Sequence, residues 1–343
     1  MVTFLEIAFP FIAVLIGTKY MFAYSLRNRI LDIPNERSSH RTPVPRGGGL
    51  VFVFSILAGS LYLYCKGSLT GALLAALCLG GGSIACVGWI DDRLGLRART
   101  RFAIHCLASL FTIACIGYPA ILPIGNVAIP WGFGGAIFFF LAIAWIINSY
   151  NFMDGIDGLA AGEAVIVGIA GAALCSKGNT QLCIIIAGSA FGFLCWNWPP
   201  AKIFMGDVGS GVLGFIFAAL WLSEATNNPN RFYVFPILLA VFIVDSTITL
   251  LWRMIRGEKW YAAHCCHVYQ VYAAKAGHQK VTLTLCAITL LWLTPLAWLS
   301  LSYPSLDFAF AIIAYLPLVG IAVFVHKTGS HFSSLYDKSS LTE

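Results

Sequence analysis

Polar side chains that could bind a phosphate or a metal interrupt an otherwise apolar part of the chain. They recur at three-residue steps, as Asn148, Asn151, Asp154 and Asp157. On an α-helix each neighbouring pair would share a face, but the whole set would drift by about half a turn around the axis. Gly155 and Gly158 favour a break in the helix, because glycine lets the backbone turn tightly and approach a ligand closely. The pattern predicts a helix end that carries two amides and two carboxylates at the edge of a membrane.

Three more carboxylates lie at the ends of apolar runs. Asp91 and Asp92 close one run, and adjacent helical residues do not share a face. We therefore expect them to act differently, one on a metal or nucleophile and one on a cation, with Arg93 as the plain structural partner. Asp207 lies among glycines at the start of a predicted helix, where the helix dipole suits a phosphate. An ordinary N-cap is the alternative for Asp207.

Two loops carry basic or imidazole groups. The loop from Asp32 to Gly49 combines arginines, among them Arg46, with prolines and glycines that expose backbone amides. It predicts an anion site or, alternatively, a basic loop that faces anionic lipid. The segment from His264 to His267 reads His-Cys-Cys-His, and four consecutive side chains cannot easily surround one tetrahedral zinc ion. This segment predicts binding of a phosphate or a carboxylate instead.

Asp245 lies inside an apolar run, far from either end. A carboxylate within a membrane is costly and usually faces a partner or a polar cavity. Ser246 and Thr247 adjoin it, and Arg253 follows two turns later. A hydrogen-bonded structural role and a catalytic role are both left open.

Composition shows what kind of scaffold must position these groups. Of the 343 residues, 59% are hydrophobic and 10% are charged, whereas a soluble domain carries about 25% charged residues. The mean hydropathy is +0.82. These values predict an all-α polytopic membrane protein, and its basic loops explain the net charge of +6 without a nucleic-acid partner. The 11 cysteines are scattered through apolar runs, with no visible disulfide framework.

Apolar runs of membrane-spanning length predict about eleven transmembrane helices, with ten as the lower count. The predicted spans are 4–25, 48–65, 69–90, 102–118, 131–147, 160–175, 181–198, 209–224, 233–252, 281–301 and 308–326. They form one integral membrane domain over residues 1–326, followed by a cytoplasmic tail over residues 327–343.

The orientation follows from the basic residues, which concentrate in cytoplasmic loops. With the N-terminus in the periplasm, 17 of the 21 Lys and Arg residues fall on the cytoplasmic side and three fall outside. The carboxylates Asp91, Asp92, Asp154, Asp157 and Asp207 then all lie on the cytoplasmic face, together with the C-terminus. Carboxylate oxygens beside basic groups and glycine turns suit Mg²⁺, which binds a few carboxylates plus substrate phosphates.

The whole set of motifs resembles the polyprenyl-phosphate N-acetylhexosamine-1-phosphate transferases, glycosyltransferase family 4, which begin bacterial cell-wall and O-antigen glycans. The resemblance runs in chain order through roughly residues 30–270, and the last spans match by hydropathy alone. It rests on the loop from Asp32, the pair Asp91–Asp92, the stretches Asn148–Gly158 and Phe204–Ser210, Asp245 with Arg253, and the histidine segment.

This resemblance implies a reaction and a place for it. A UDP-N-acetylhexosamine would give its sugar-1-phosphate to undecaprenyl phosphate, with release of UMP, at the cytoplasmic face of the bacterial inner membrane. The cofactor would be Mg²⁺, with Mn²⁺ as an alternative, and a homodimer is left open. The implied metal ligands are Asp207 and Asp154, the implied catalytic residues are Asp91, Asp92, Asp154 and Asp157, and the implied substrate-binding residues are Asn151, Phe204 (for uracil), His264, His267 and Arg46.

The histidine segment departs from the peptidoglycan branch of the family, which carries three adjacent histidines. Cys266 occupies a histidine position here, and Ala262 or Ala263 occupies that of a usual aspartate. The sequence His-x-x-His-Val-Tyr-Gln is more similar to the O-antigen-initiating branch. That branch uses N-acetylfucosamine or N-acetylquinovosamine as well as N-acetylglucosamine, so the sugar stays open among these three.

Two other function classes place acids in membrane helices. A secondary transporter could use Asp245, but such sites lie at the midplane between repeats, whereas most acids here are predicted at one face and no repeat is visible. An aspartyl intramembrane protease could pair Asp245 with Asp207, but Phe204 occupies the first glycine position of its Gly-x-Gly-Asp motif. Loss of activity in EDTA would separate the transferase from both.

Overall fold

The computed structural model describes residues 4–34, 42–259 and 264–328, and these are mainly helical. The helices are α1 Phe4–Arg27, α2 Gly49–Cys65, α3 Gly71–Leu94, α4 Ala98–Ile116, α5 Phe133–Met153, α6 Leu159–Leu174, α7 Lys177–Asn197, α8 Asp207–Asn227, α9 Val234–Leu238, α10 Ala240–Ile255, α11 Val268–Ala276, α12 His278–Ser302 and α13 Asp307–Thr328. Two antiparallel hairpins complete the fold, β1 Leu31–Asp32 with β2 Val44–Pro45 and β3 Ile121–Ile124 with β4 Val127–Pro130.

The predicted class, an all-α polytopic membrane protein, is confirmed in its main features. Within the described ranges, eight helices are long and apolar enough to cross a membrane. A ninth span counts only if Pro229–Leu238 and Ala240–Ile255 are taken together, because they meet at a bend of 67°. Helices α2 and α6 lie at two further predicted positions but have 17 and 16 residues. The count of eleven spans therefore stays a prediction.

Helix α8 is the centre of the bundle, and every residue in its most apolar part is buried. Small residues explain how its neighbours come so close. A Cβ added at Gly88 of α3 would lie 2.6 Å from the backbone of Val208, and one at Gly214 would lie 2.7 Å from the carbonyl of Ile146 in α5. Such glycine contacts let membrane helices pack backbone to backbone. They fix the start of α8 beside the ends of α3 and α5.

The segment after β2 joins the segment before α8 through the backbone. The Gly48 amide donates to the Phe204 carbonyl at 3.0 Å, and the Phe204 amide donates to the Pro45 carbonyl at 2.8 Å. The Gly49 amide then donates to the Met205 carbonyl at 2.9 Å. These bonds bring the predicted anion loop against the start of α8, although the two are far apart in sequence.

Some predictions fall outside the described residues. Arg37 and Arg41 of the first loop, Ala262 and Ala263 before the histidine segment, and residues 329–343 of the predicted tail belong to this group. The last helix continues to Thr328, two residues beyond the predicted end of the final span.

Candidate active site

Three carboxylates and two arginines meet where α3, α4 and α8 converge with the loop after β2. A guanidinium nitrogen of Arg46 lies 3.1 Å from Asp207 Oδ1, and its Nε lies 3.0 Å from Asp92 Oδ1. Arg101 pairs with both Asp91 and Asp207. Asp207 is therefore held between two arginines, and we refer to these five residues as the carboxylate cluster.

Asp92 organises the start of α8. Its two carboxylate oxygens accept from the backbone amides of Asp207 at 2.9 Å and Val208 at 3.2 Å, and its side chain is fully buried. The first amides of a helix have no partner within the helix, so this carboxylate satisfies two of them. Gly206 lies against Asp92, where an added Cβ would come within 2.3 Å of Asp92 Oδ2. Asp92 therefore positions Asp207 as well as carrying charge.

The two adjacent aspartates have different partners. Asp91 accepts from the Leu96 amide and pairs with Arg101, whereas Asp92 pairs with Arg46. The expectation that Arg93 pairs with these aspartates was wrong. Its guanidinium lies over the Trp89 ring, 5.4 Å from the ring centroid. An arginine can stack on an aromatic face when the nearby carboxylates already have cations.

Arg101 is a residue of this cluster that sequence reasoning missed. The bias of basic residues places Arg101 on the same membrane side as Arg97 and Arg99, and it does not distinguish among the three. The structure starts α4 at Ala98, so that Arg101 lies in the first turn of a helix that follows the double aspartate directly. The sequence signal that could have identified Arg101 is its position in the first turn of the helix that follows the two aspartates.

Burial and neighbouring charge act on Arg46 in opposite directions. Partial burial lowers its pKa, but the carboxylates of Asp92, Asp207, Asp32 and Asp154 raise the pKa by more, so the guanidinium stays charged. The same region raises the pKa of Asp154 well above its ordinary value, first through burial and then through the charge of Asp207. Burial therefore disfavours the charged form of Asp154, and the neighbouring Asp207 adds to that effect.

The stretch from Asn148 to Gly158 ends a helix, as its glycines predicted. Helix α5 runs through Met153 and stops at Asp154. Asn151 lies in its last turn, where its side-chain oxygen accepts from the Ser210 hydroxyl of α8 at 3.2 Å. Asn148 donates to the Ala144 carbonyl of its own helix at 2.7 Å, so that amide does not join the cluster.

Asp157 lies on a different side of this turn. One of its oxygens accepts from the Ala201 amide at 3.1 Å, and the same oxygen lies 3.4 Å from His278 Nδ1. Its carbonyl accepts from the Thr282 hydroxyl at 3.0 Å. These contacts tie the turn to α12 and to the loop before α8.

Asp245 has a structural role in this arrangement. Its oxygens accept from the Val268 and Tyr269 amides at 3.1 and 3.0 Å, from His267 Nδ1 at 3.0 Å and from the Thr249 hydroxyl at 3.1 Å. It thus satisfies the first amides of α11, as a capping residue does. Of the two roles left open for Asp245, the structure favours the hydrogen-bonded one.

His267 and His264 have different environments. His267 is buried, with 2% of its surface exposed, and stacks on Phe152 at 5.8 Å. His264 is half-buried and stacks on His267 at 4.9 Å, with its Nδ1 3.2 Å from the Cys266 sulfur. Burial first, and then the neighbouring His267 and Arg253, lower the pKa of His264 to about 4, so this imidazole is neutral at pH 7.

Phe204, which the resemblance implied, and a cleft lie beside the cluster. Phe204 is half-buried in the segment that hydrogen-bonds to the anion loop. A cleft of about 400 Å³ opens against Asp92 and is lined also by Asn28, Arg29, Trp89 and Arg93. The cleft brings two further arginines, Arg29 and Arg93, to the neighbourhood of Asp92.

The donor set fits a hard divalent cation that shares its ligands with a substrate. Within the described residues, no three His, Cys, Asp or Glu side chains converge as a ready metal site. Mg²⁺ binds through one or two carboxylates plus substrate phosphates and water, so it needs no such set. The cluster holds three carboxylates, Asp91, Asp92 and Asp207, against the two arginines Arg46 and Arg101, and a cation would offset the remaining negative charge. Asp207 and Asp154 therefore remain suitable candidates for Mg²⁺.

Comparison with known proteins agrees with this geometry. Residues 73–224 match the family model described as Glycosyl transferase family 4. The chain is 29% identical over 330 residues to the decaprenyl-phosphate N-acetylglucosaminephosphotransferase of Mycobacterium tuberculosis, which covers 85% of this chain and 81% of that protein. It is 29% identical over 276 residues to a probable undecaprenyl-phosphate N-acetylglucosaminyl 1-phosphate transferase of Bacillus subtilis, with 75% and 74% covered.

A third relative is the phospho-N-acetylmuramoyl-pentapeptide-transferase of Staphylococcus aureus. It is 33% identical over 241 residues, and the match covers 63% of this chain and 73% of that protein. The similarity therefore extends well beyond the local motifs. The chain belongs to glycosyl transferase family 4, the polyprenyl-phosphate N-acetylhexosamine-1-phosphate transferases, and is a multi-pass membrane phosphosugar transferase.

Proposed function

We propose that this chain transfers N-acetylhexosamine-1-phosphate from a UDP-sugar to undecaprenyl phosphate, releasing UMP, with Mg²⁺ as cofactor. The observation that carries this proposal is the carboxylate cluster, in which Asp207 lies between Arg46 and Arg101 beside the buried Asp92. Guanidinium groups bind phosphate oxygens in pairs of hydrogen bonds, and carboxylates bind the metal that accompanies a diphosphate. Both relatives named for N-acetylglucosamine act, by their names, on a polyprenyl phosphate.

Over the whole reaction, an oxygen of the acceptor phosphate replaces the UMP oxygen on the β-phosphorus of the donor. Little covalent chemistry is needed from the protein in such a transfer, so positioning and charge neutralisation supply most of the catalysis. Bound Mg²⁺ would offset charge on the diphosphate, held by Asp207 and Asp154. Arg46 and Arg101, which both pair with Asp207, would donate to phosphate oxygens.

The acceptor and donor are assigned to different sides of the cluster. Asp91 and Asp92 would lie by the lipid phosphate, which reaches them through the cleft lined by Arg29 and Arg93, and one of them would act as base or positioner. On the donor side, Phe204 would stack on uracil, Asn151 and Asp157 would shape the nucleotide site, and His264 and His267 would contact the diphosphate or sugar.

The transferred sugar is one of the three N-acetylhexosamines that the histidine segment left open. N-acetylglucosamine is favoured by the names of two relatives, while the sequence His-x-x-His-Val-Tyr-Gln favours the O-antigen-initiating branch, with N-acetylfucosamine and N-acetylquinovosamine as alternatives. The product would start an O-antigen or another cell-envelope glycan.

The decisive experiment is a transfer assay in membranes that contain the chain. It supplies undecaprenyl phosphate, Mg²⁺ and a panel of radiolabelled UDP-N-acetylhexosamines, and it measures label in the lipid phase and release of UMP. We expect lipid labelling with at least one donor and its loss in EDTA, with recovery on adding Mg²⁺ or Mn²⁺. Absence of labelling with the whole panel, or labelling that EDTA leaves unchanged, would contradict the proposal.

We propose that the chain lies in the bacterial inner membrane with its N-terminus in the periplasm and the carboxylate cluster on the cytoplasmic face. The bias of 17 to three basic residues supports this orientation. A reporter fused after Glu343 is expected to behave as cytoplasmic, fluorescent as a green fluorescent protein fusion and inactive as an alkaline phosphatase fusion. The matched control carries the reporter after Lys66, where the opposite result is expected. A periplasmic reporter after Glu343 would invert the topology and the side of the active site.

The two histidines are expected to respond differently to substitution. His264→Ala should raise the donor KM with little change in thermal stability, because its neutral, half-buried imidazole can donate to a phosphate. His267→Ala should also lower thermal stability, because Asp245 would lose a partner at a cost of about 1–3 kcal/mol. Donor KM and melting temperature of the purified variants measure the two effects separately.

The thiols between these histidines serve as the control. Replacing Cys265 and Cys266 together by serine should leave donor KM and melting temperature close to wild type, because a hydroxyl can keep the contact with His264 Nδ1. Metal analysis of the same preparations tests the opposing assignment. Stoichiometric zinc that disappears in the double variant, with loss of the fold, would show that this segment is a zinc site.

A further inference from the structure

Two cysteines of this chain lie in contact at the end of the bundle remote from the carboxylate cluster. The sulfur atoms of Cys175 and Cys183 are 3.9 Å apart. Both side chains are buried, Cys175 with 9% and Cys183 with none of its surface exposed. Cys175 directly follows the last residue of α6 and Cys183 lies in the second turn of α7, so the pair spans the junction between two helices.

Close packing of α6 against α7 holds the pair in this position. A Cβ added at Gly171 would lie 3.0 Å from the Cys183 sulfur, and one at Gly168 would lie 2.9 Å from the Cβ of Ala187. The absence of a side chain at Gly171 leaves the Cys183 sulfur free space along α6. A disulfide needs sulfur atoms about 2.05 Å apart, so the two sulfurs would have to approach by about 2 Å to form one.

The turn that carries Cys175 is also fixed from a third helix. Glu224, buried in the last turn of α8, accepts from the Ser176 amide at 3.0 Å and from the Ser176 hydroxyl at 2.6 Å. It also accepts from Asn179 and pairs with Arg231 at 3.4 Å. Two residues of the segment between the cysteines are therefore held in place, which favours keeping the two sulfurs close together.

The membrane face on which the cysteine pair lies determines whether it meets an oxidising or a reducing compartment. Asp207 begins α8 and Glu224 lies near its end, about 25 Å further along the helix at 1.5 Å per residue. The cysteine pair beside Glu224 thus lies on the membrane face opposite the proposed active site. Under the proposed function, on which this inference rests, that face is the periplasm, where disulfides form and persist.

We propose that Cys175 and Cys183 form a disulfide that fastens the outer ends of α6 and α7. The oxidant is a dithiol–disulfide carrier of the periplasm, whose own disulfide is reduced. The thiolate of one cysteine attacks a carrier sulfur and releases one carrier thiol, and the second cysteine then attacks the mixed disulfide and releases the other. Two cysteine thiols lose two electrons and two protons, and the carrier disulfide becomes a dithiol.

Differential thiol labelling of the full chain in native membranes tests this inference. Free thiols are blocked with N-ethylmaleimide in denaturant without reductant, the protein is then reduced, and newly exposed thiols receive a second maleimide of different mass. We expect two of the 11 cysteines to take only the second label, and the unreduced digest to contain Cys175 and Cys183 in one cross-linked peptide pair. Nine cysteines should take the first label.

Three serine variants locate the bond. Cys175→Ser and Cys183→Ser should each remove the protected pair, whereas Cys195→Ser, in the same helix α7 but near its other end, should leave it unchanged. Reductant should lower the melting temperature of wild type and of Cys195→Ser, but not of the first two variants. The cross-linked peptide is read from wild type, so it does not depend on the folding of any variant.

The outcomes separate this inference from the proposed function. First labelling of all 11 cysteines in membranes that still transfer the phosphosugar would overturn the disulfide alone. A cross-linked peptide in membranes that transfer no sugar from any donor would support the disulfide and overturn the proposed function. A cytoplasmic location of Cys175, found together with free thiols and the inverted reporter pattern, would overturn both the disulfide and the orientation.

Discussion

Asp207→Asn is expected to lower kcat by about 10²–10³-fold, the usual effect of losing one contact to the charge of the transition state. The amide keeps the shape of the carboxylate but cannot offset the charge of Mg²⁺. The melting temperature should stay close to wild type, because Asp92, rather than the Asp207 side chain, satisfies the first amides of α8. Arg46 and Arg101 keep Asp92 and Asp91 as partners in the variant.

The measurement is the transfer rate of the purified variant over a Mg²⁺ titration, with the melting temperature of the same preparation. Asp32→Asn removes the same charge near Arg46 without touching the pairs of the cluster, so it is the matched control and should retain activity. Wild-type turnover by Asp207→Asn at low Mg²⁺ would show that the metal is held elsewhere.

Much of the site could be predicted from the sequence because its acids end apolar runs. Asp91, Asp92, Asp154 and Asp207 were all expected at one membrane face, and the described contacts bring Asp91, Asp92 and Asp207 onto shared arginines. Hydropathy places a residue at a membrane face but does not say which residues meet there. The convergence itself depends on α3 and α8 packing through Gly88, a contact between distant segments.

The residues that sequence reasoning misjudged were decided by tertiary contacts. Arg97, Arg99 and Arg101 are arginines of one short basic segment, and the sequence does not distinguish them. Only the packing of α4 beside α8 brings Arg101 to Asp207. Arg93 was expected beside the aspartates but stacks on Trp89, because Arg46 reaches Asp92 from a loop 46 residues earlier in the chain. For Asp245 the sequence left a structural and a catalytic role open, and the amide donors at the start of α11 favour the structural one.

The helices were predictable as apolar runs, while their irregularities were not. Every predicted span coincides with a helix or with the bent pair, since the membrane requires backbone groups to be satisfied within a helix. The π-helical turns at Ala76–Gly81 and Thr289–Leu293 and the 67° bend after Leu238 leave no mark in hydropathy. Such departures follow from how neighbouring helices fit together.

Gly206→Ala is expected to destroy the cluster more completely than loss of any single charge. Gly206 has φ +76° and ψ 170°, a backbone conformation available almost only to glycine. Its new Cβ would also lie 2.3 Å from Asp92 Oδ2, so the carboxylate that holds Asp207 must move. A displacement of about 1 Å at a reacting group can cost about 10²-fold in rate, and both Asp207 and Arg46 contact this carboxylate. Activity should therefore fall by at least about 10²-fold, with a lower melting temperature.

Gly277→Ala is the control that separates the effect of backbone strain from the effect of the steric clash with Asp92. Gly277 has φ +85° and ψ 156°, close to the values at Gly206, and an added Cβ there meets no atom within 4 Å. Both variants should lose stability from strain, by about 1–3 kcal/mol each. Only Gly206→Ala should lose the transferase activity of the fraction that remains folded, because only its methyl group reaches Asp92. Equal specific activities of the two folded variants would mean that Asp92 does not position Asp207 for the reaction, and that its contacts with the first amides of α8 serve stability alone.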